Sequence, residues 1–149
     1  MPLAAVLCKK DFDVSGDRAL GHYTHEKNPV ACAAGLAALN VIVDENLPER
    51  ALQLGEETLT RLKRELFNVS IVSEIRGLGL LLGVELDQSV THVSTLAEKI
   101  MYACLGVGLS FKISMGNVLT LAPPLNIETD EMHRAIQILI DAITGAEIE

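Results

Sequence analysis

The segment that most constrains this chain is Asn28-Pro29 and the run that follows it, Val30-Ala31-Cys32-Ala33-Ala34-Gly35-Leu36-Ala37-Ala38-Leu39-Asn40-Val41-Ile42-Val43. An asparagine side chain satisfies the free N–H groups that open a helix, and a proline at the first helical position has a suitable φ and no N–H to leave unpaired. A helix is therefore expected to begin here. Its body is mostly Ala, Gly and small apolar residues, which let other backbones come close, so burial against more than one partner is expected. Asn40 interrupts the run, and its length is short of a bilayer span.

Other elements follow from periodicity and punctuation. Leu3 to Cys8 is a short apolar run ended by Lys9-Lys10-Asp11, which suits a buried strand, and Asp11 to Lys27 is a polar loop of functional length. A second helix is expected from near Pro48 to about Phe67, with Ala51, Gly55, Leu59, Leu62 and Leu66 on its apolar stripe. Val69 to Leu86 reads as two strands around Arg76-Gly77. Thr95-x-x-Glu98 has the spacing of a capping box for a third helix that ends at Gly106. Leu109–Ile113 and Val118–Leu121 read as short strands about a Met115-Gly116-Asn117 turn, and Pro123-Pro124 stops the second. Thr129-Asp130-Glu131 opens a last helix with Met132, Ala135, Ile136, Leu139, Ile140 and Ile143 on its stripe. The order helix, strand, strand, helix, strand, strand, helix predicts an α+β layer: a small, mostly antiparallel sheet with helices on one face. The best junction between two units is Glu45-Asn46-Leu47-Pro48, dividing 1–46 from 47–149.

Composition narrows the function. A net charge of −8 and scattered basic residues exclude a phosphate-backbone binder, and aromatic residues at 3% with no Trp leave no stacking platform for single strands. Hydrophobic residues make up 49% of the chain, which is too apolar for disorder and suggests surface meant to be covered. The cysteines Cys8, Cys32 and Cys104 read as small buried hydrophobes of a cytosolic protein, and no signal peptide or membrane span is visible, so a cytoplasmic location is expected.

Chemistry is sparse in the residues themselves. His22, His25 and Glu26 lack the spacing and fourth ligand of a metal site and read more simply as a solvated loop. Gly77, Gly79 and Gly83 lack dinucleotide-fingerprint spacing and read as structural glycines. Ser110 and Ser114 have no nucleophile elbow around them. Thr24 places a hydroxyl four residues before the Asn28 helix, where it suits a bound phosphate or simply a turn.

Three segments together resemble the class III (ornithine/4-aminobutyrate-type) aminotransferases, and the match runs over nearly the whole chain. They are Met1-Pro2-Leu3-Ala4-Ala5-Val6, then Thr24-His25-Glu26-Lys27-Asn28-Pro29 with its alanine-rich helix, then Arg76-Gly77-Leu78-Gly79-Leu80 with Ala122-Pro123-Pro124-Leu125. The resemblance implies the C-terminal third of a fold-type I enzyme dependent on pyridoxal 5'-phosphate. Residues 1–46 would be a remnant of the large cofactor-binding domain, with its phosphate loop and connecting helix, and 47–149 the C-terminal small domain.

By the same resemblance Thr24 would bind the cofactor phosphate across a dimer interface, although Glu26-Lys27 replaces the family's usual Gly-Gly. Thr120 stands where many members carry an arginine that clamps a substrate carboxylate, so Thr120 would line the substrate pocket without clamping. Arg76 reads as a structural residue of the strand turn.

The implied activity is amino-group transfer between an amine or amino acid and a 2-oxo acid, in a homodimer or larger assembly. The lysine that carries the cofactor would lie a few residues before Met1. This chain is therefore expected to hold no catalytic residue and to be inactive alone. Two alternatives stay open: a lyase of the same family acting on a phosphorylated or phosphonate amine, and a truncated, non-catalytic interaction domain.

Overall fold

A computed structural model of the chain describes residues 3–12, 14–16, 18 and 28–148. The chain divides into two compact units, Met1–Asn46 and Leu47–Glu149.

In the first unit the dominant element is α1, Pro29–Asp44. The Asn28 side chain accepts from the N–H groups of Val30 at 3.0 Å and Ala31 at 3.2 Å, so the cap read from the sequence is the cap observed. Leu3 to Cys8 does not form the expected strand. A strand exists only by pairing, and no ladder partner occurs for this segment among the described residues; Val6 and Leu7 are each 93% exposed. Leu36, Leu39 and Val43 stand exposed along α1. A short 3-10 turn lies at Lys10–Phe12.

The second unit is the expected α+β layer. Its elements are α2 (Leu47–Glu65), β1 (Val72–Leu78), β2 (Leu81–Leu86), α3 (Val93–Gly106), β3 (Lys112–Ser114), β4 (Val118–Leu121) and α4 (Thr129–Ile148). The four strands run antiparallel in the order β1-β2-β4-β3. Register assigns the two faces. Ile75, Val84, Leu119 and Ile113 are partners in one row across all four strands and belong to the core. The next row, of opposite parity, is Arg76, Gly83, Thr120 and Lys112, and it points away from that core.

The helices cover the apolar face. Leu54 and Leu62 of α2, Ile100 and Cys104 of α3, and Met132, Ile136, Leu139 and Ile143 of α4 share one cluster with Leu82, Val84, Leu86 and Leu119 of the sheet. Each such leucine or isoleucine contributes about 1.5–3 kcal/mol by leaving water. The α2 stripe is wider than expected, adding Leu54 and Thr58; the Thr58 hydroxyl donates to the Leu54 carbonyl at 2.7 Å and so is not left unpaired in the core.

Among the boundaries that differ from expectation, β3 is Lys112–Ser114 where Leu109–Ile113 was expected. The β1–β2 turn is Gly79-Leu80, with Leu78 paired to Leu81 and Gly79 at φ +54°, so Arg76 and Gly77 lie inside β1. A two-residue hairpin loop needs a positive φ that Gly79 accepts without steric cost. Helix α3 opens at Val93 rather than at Thr95, behind His92 in a left-handed conformation (φ 58°, ψ 41°) that makes no side-chain cap bond. Its far end is a Schellman motif: Leu109 N–H donates to the Cys104 carbonyl at 2.9 Å and Gly108 N–H to the Leu105 carbonyl at 3.1 Å, with Gly108 at φ +96°.

Candidate functional site

Thr120 lies in β4 between two shallow depressions and lines both. One, of about 430 Å³, extends over β1 and β2 through Arg76, Leu78, Leu81 and Gly83; the other, of about 490 Å³, extends over β3 and the segment after β4 through Phe111, Lys112, Ala122, Pro123 and Pro124. Gly83, lying between Arg76 and Thr120 in the register, has no side chain and leaves the first depression open.

The segment that walls the second depression is held from α2. Arg50 Nη1 donates to the Leu125 carbonyl at 2.9 Å and its Nη2 to the Ile127 carbonyl, so a single guanidinium fixes the path of the chain after Pro124. The β3–β4 turn is closed from the opposite side by buried Asn117, whose Nδ2 donates to the Leu86 carbonyl at 2.9 Å.

Charge is distributed unevenly across this face. Arg76 Nη1 is 2.7 Å from Glu74 Oε2 and 2.6 Å from Glu85 Oε2, and the hydrogen bond to Glu85 is the largest cause that holds its pKa above the ordinary arginine value. With two carboxylates on one guanidinium, that end of the face carries no surplus positive charge. The Thr120 hydroxyl donates to Ser114 Oγ at 3.0 Å, and Val118 O lies 3.5 Å away. Lys112, directly across from Thr120 in the register, is exposed, and its side chain has no hydrogen-bond or ion-pair partner among the described residues.

The sequence-derived site residues fare differently. Thr120 is placed, on the wall of two depressions and without charge. Arg76 is a mid-strand residue in an ion-pair cluster rather than a turn residue. Thr24 lies outside the described residues, as do His22, His25 and Glu26. At the start of α1, Pro29 lacks an N–H, Val30 and Ala31 give theirs to Asn28 Oδ1, and Cys32 N–H bonds the Asn28 carbonyl at 2.9 Å.

Of the cysteines, only Cys104 is the buried hydrophobe expected; Cys8 and Cys32 are exposed. Burial pushes the Cys104 thiol up to about 11, which makes it a packing residue and not a nucleophile. Among the described residues the Ser114 hydroxyl accepts from Thr120, and no hydrogen bond joins Ser110 or Ser114 to a histidine. Among the described residues no group of His, Cys, Asp and Glu has the geometry of a metal site, and no single helix is long and apolar enough to cross a membrane.

The residue that sequence reasoning passed over is Lys112. Its signal was available: counting outward from the Met115-Gly116-Asn117 turn pairs Ser114 with Val118, Ile113 with Leu119 and Lys112 with Thr120.

Comparison with known proteins agrees with this architecture. A family model described as aminotransferase class III matches residues 1–143. An (R)-1-hydroxy-2-aminoethylphosphonate ammonia-lyase of Vibrio splendidus is 42% identical over 96% of this chain and 30% of its own length. The acetylornithine aminotransferase of Methanothermobacter thermautotrophicus is 33% identical over 93% of this chain and 34% of its own. Among solved structures, ornithine aminotransferase from Toxoplasma gondii, described with partial occupancy of PLP at its active site, superimposes with a TM-score of 0.73 at 34% identity over 80% of this chain and 28% of its own. An aminotransferase from Bacillus anthracis gives 0.78 at 33% identity, over 89% and 32% respectively. The chain therefore spans about a third of the length of the relatives it matches.

Proposed function

Because this chain belongs to the class III aminotransferase family, we propose that it is the C-terminal third of a pyridoxal-phosphate-dependent enzyme acting on the amino group of a small amine. The observation that carries this reading is the family match over residues 1–143, supported by an α+β unit like that of solved ornithine aminotransferases. Bound pyridoxal phosphate supplies an electron sink for the carbon that bears the amine. What the described residues of this chain contribute is a pocket wall: the outer sheet face at Thr120, held in place by Arg50 and Asn117. Thr24 is the residue we assign to the cofactor phosphate, by its hydroxyl. The working assembly is a homodimer or larger.

Amino-group transfer to a 2-oxo acid is the first reading of the reaction. A second, release of ammonia from a phosphonate amine, is favoured by a specific residue. Threonine at position 120 offers no planar pair of donors for a carboxylate, and the 42% identical relative carries a phosphonate in its substrate's name. The experiment is a pair of assays on the full-length protein with its cofactor. A transaminase forms an amino acid only when a 2-oxo acid is added; a lyase releases ammonia without one. Failure of both, with the protein folded and supplied with cofactor, would overturn the assignment of an amine-processing activity.

A further inference from the structure

We propose that Lys112 is a substrate-binding residue, taking the tetrahedral oxyanion of a phosphonate or phosphate group on the amine substrate. The inference rests on the reading just given, that the face bearing Thr120 is a substrate wall.

Geometry brings the two residues together. Lys112 and Thr120 are direct partners across the β3–β4 ladder, which puts their Cβ atoms about 4.5–5.5 Å apart on one face. Both line the same depression of about 490 Å³, whose far wall is Ala122-Pro123-Pro124. Charge then selects between the two ends of the face. At Arg76, Glu74 and Glu85 already occupy the guanidinium and would repel an incoming anion. At Lys112 there is no carboxylate partner among the described residues, so none competes with an incoming anion there. Thr120 adds no competing charge, and its hydroxyl is donated to Ser114.

The chemistry of lysine narrows the anion. An ammonium is a compact point charge with three rotatable donors, suited to the three oxygens of a tetrahedral group; it lacks the fixed fork that grips a planar carboxylate with two parallel bonds. Lys112 sits on the short edge strand β3 and lines the depression. Its role is to position the substrate, so its loss acts on binding before it acts on rate.

The test titrates the full-length, cofactor-loaded protein with 2-aminoethylphosphonate, O-phosphoethanolamine, β-alanine and ethanolamine. Lys112→Met is expected to weaken binding of the phosphonate or the phosphate ester by roughly ten- to a hundredfold, with Lys112→Arg retaining most of it and ethanolamine unaffected. The two tetrahedral probes distinguish a phosphonate from a phosphate monoester, and weaker β-alanine binding supports the preference for a tetrahedral group. In turnover, KM should rise with little change in kcat. Equal phosphonate and phosphate affinity in wild type and Lys112→Met, or no binding of either by wild type, overturns the role of Lys112. Binding is read without turnover, so intact Lys112-dependent binding in a protein that processes no amine would overturn the proposed reaction alone.

Discussion

Gly55 and Gly79 show how much a single missing methyl group decides in this molecule. A Cβ built on Gly55 would lie 2.1 Å from the Gly79 carbonyl oxygen and 2.5 Å from its carbon, so α2 meets the β1–β2 turn backbone to backbone. Gly55→Ala must push the helix from the sheet, and a loss of about 1–3 kcal/mol is expected from overpacking. Gly145 in α4 is the opposite case, with open space around its Cβ position. Gly145→Ala should add about 0.5–1 kcal/mol by restricting the unfolded chain and favouring helix. Urea unfolding monitored by circular dichroism measures both; midpoints moving in the same direction would show that contact at Gly55 is not the cause.

At the scale of elements, α3 carries the most evident conflict between local preference and tertiary demand. Thr95 and Glu98 offer a capping box, yet the helix starts two residues earlier behind a left-handed His92 that caps nothing with its side chain. The reason lies in packing: Val93 and Leu96 contact the core, so the turn is extended to bring them in. Left-handed backbone is unfavourable for a residue with a Cβ and free of that penalty for glycine. His92→Gly is therefore expected to raise stability by about 0.5 kcal/mol, the relief of strain exceeding the added chain entropy. A fall in the thermal midpoint would mean that the histidine ring makes a compensating contact.

At the scale of the whole molecule, surface composition is the salient property. Leu36, Leu39 and Val43 along α1 and Leu78 and Leu81 at the β1–β2 turn are all more than half exposed. That is more apolar surface than a monomer usually leaves in water, and its distribution suits a chain whose neighbours in a longer protein or a second subunit cover it. Purified alone, the chain should self-associate through its first 45 or so residues, driven by Leu36, Leu39 and Val43. Multi-angle light scattering at tens of micromolar is the measurement, and substitution of Leu36 and Leu39 by Glu should shift the population toward monomer. A monodisperse monomer of the unmutated chain would remove the basis for proposing a dimer here.

The sequence by itself determined the elements whose cause is local. Asn28-Pro29 opens α1 because a cap and a fixed φ act within one turn, and the stripes of α2 and α4 follow from a period that any amphipathic helix must keep. The order of elements, and with it the α+β class, came from the same local signals. The family resemblance was legible too, since it rests on residues at fixed spacing. Tertiary structure alone decided what depends on partners distant along the chain. Leu3 to Cys8 has strand composition and no strand, because a ladder needs a neighbour that composition does not supply. The β1–β2 turn moved from Arg76-Gly77 to Gly79-Leu80 because register is chosen by which side chains reach the core, and a slip of one residue would turn Ile75 and Val84 outward. Cross-strand register likewise brings Arg76 to Glu85, while the Lys112 side chain, beside Thr120, has no charged partner among the described residues.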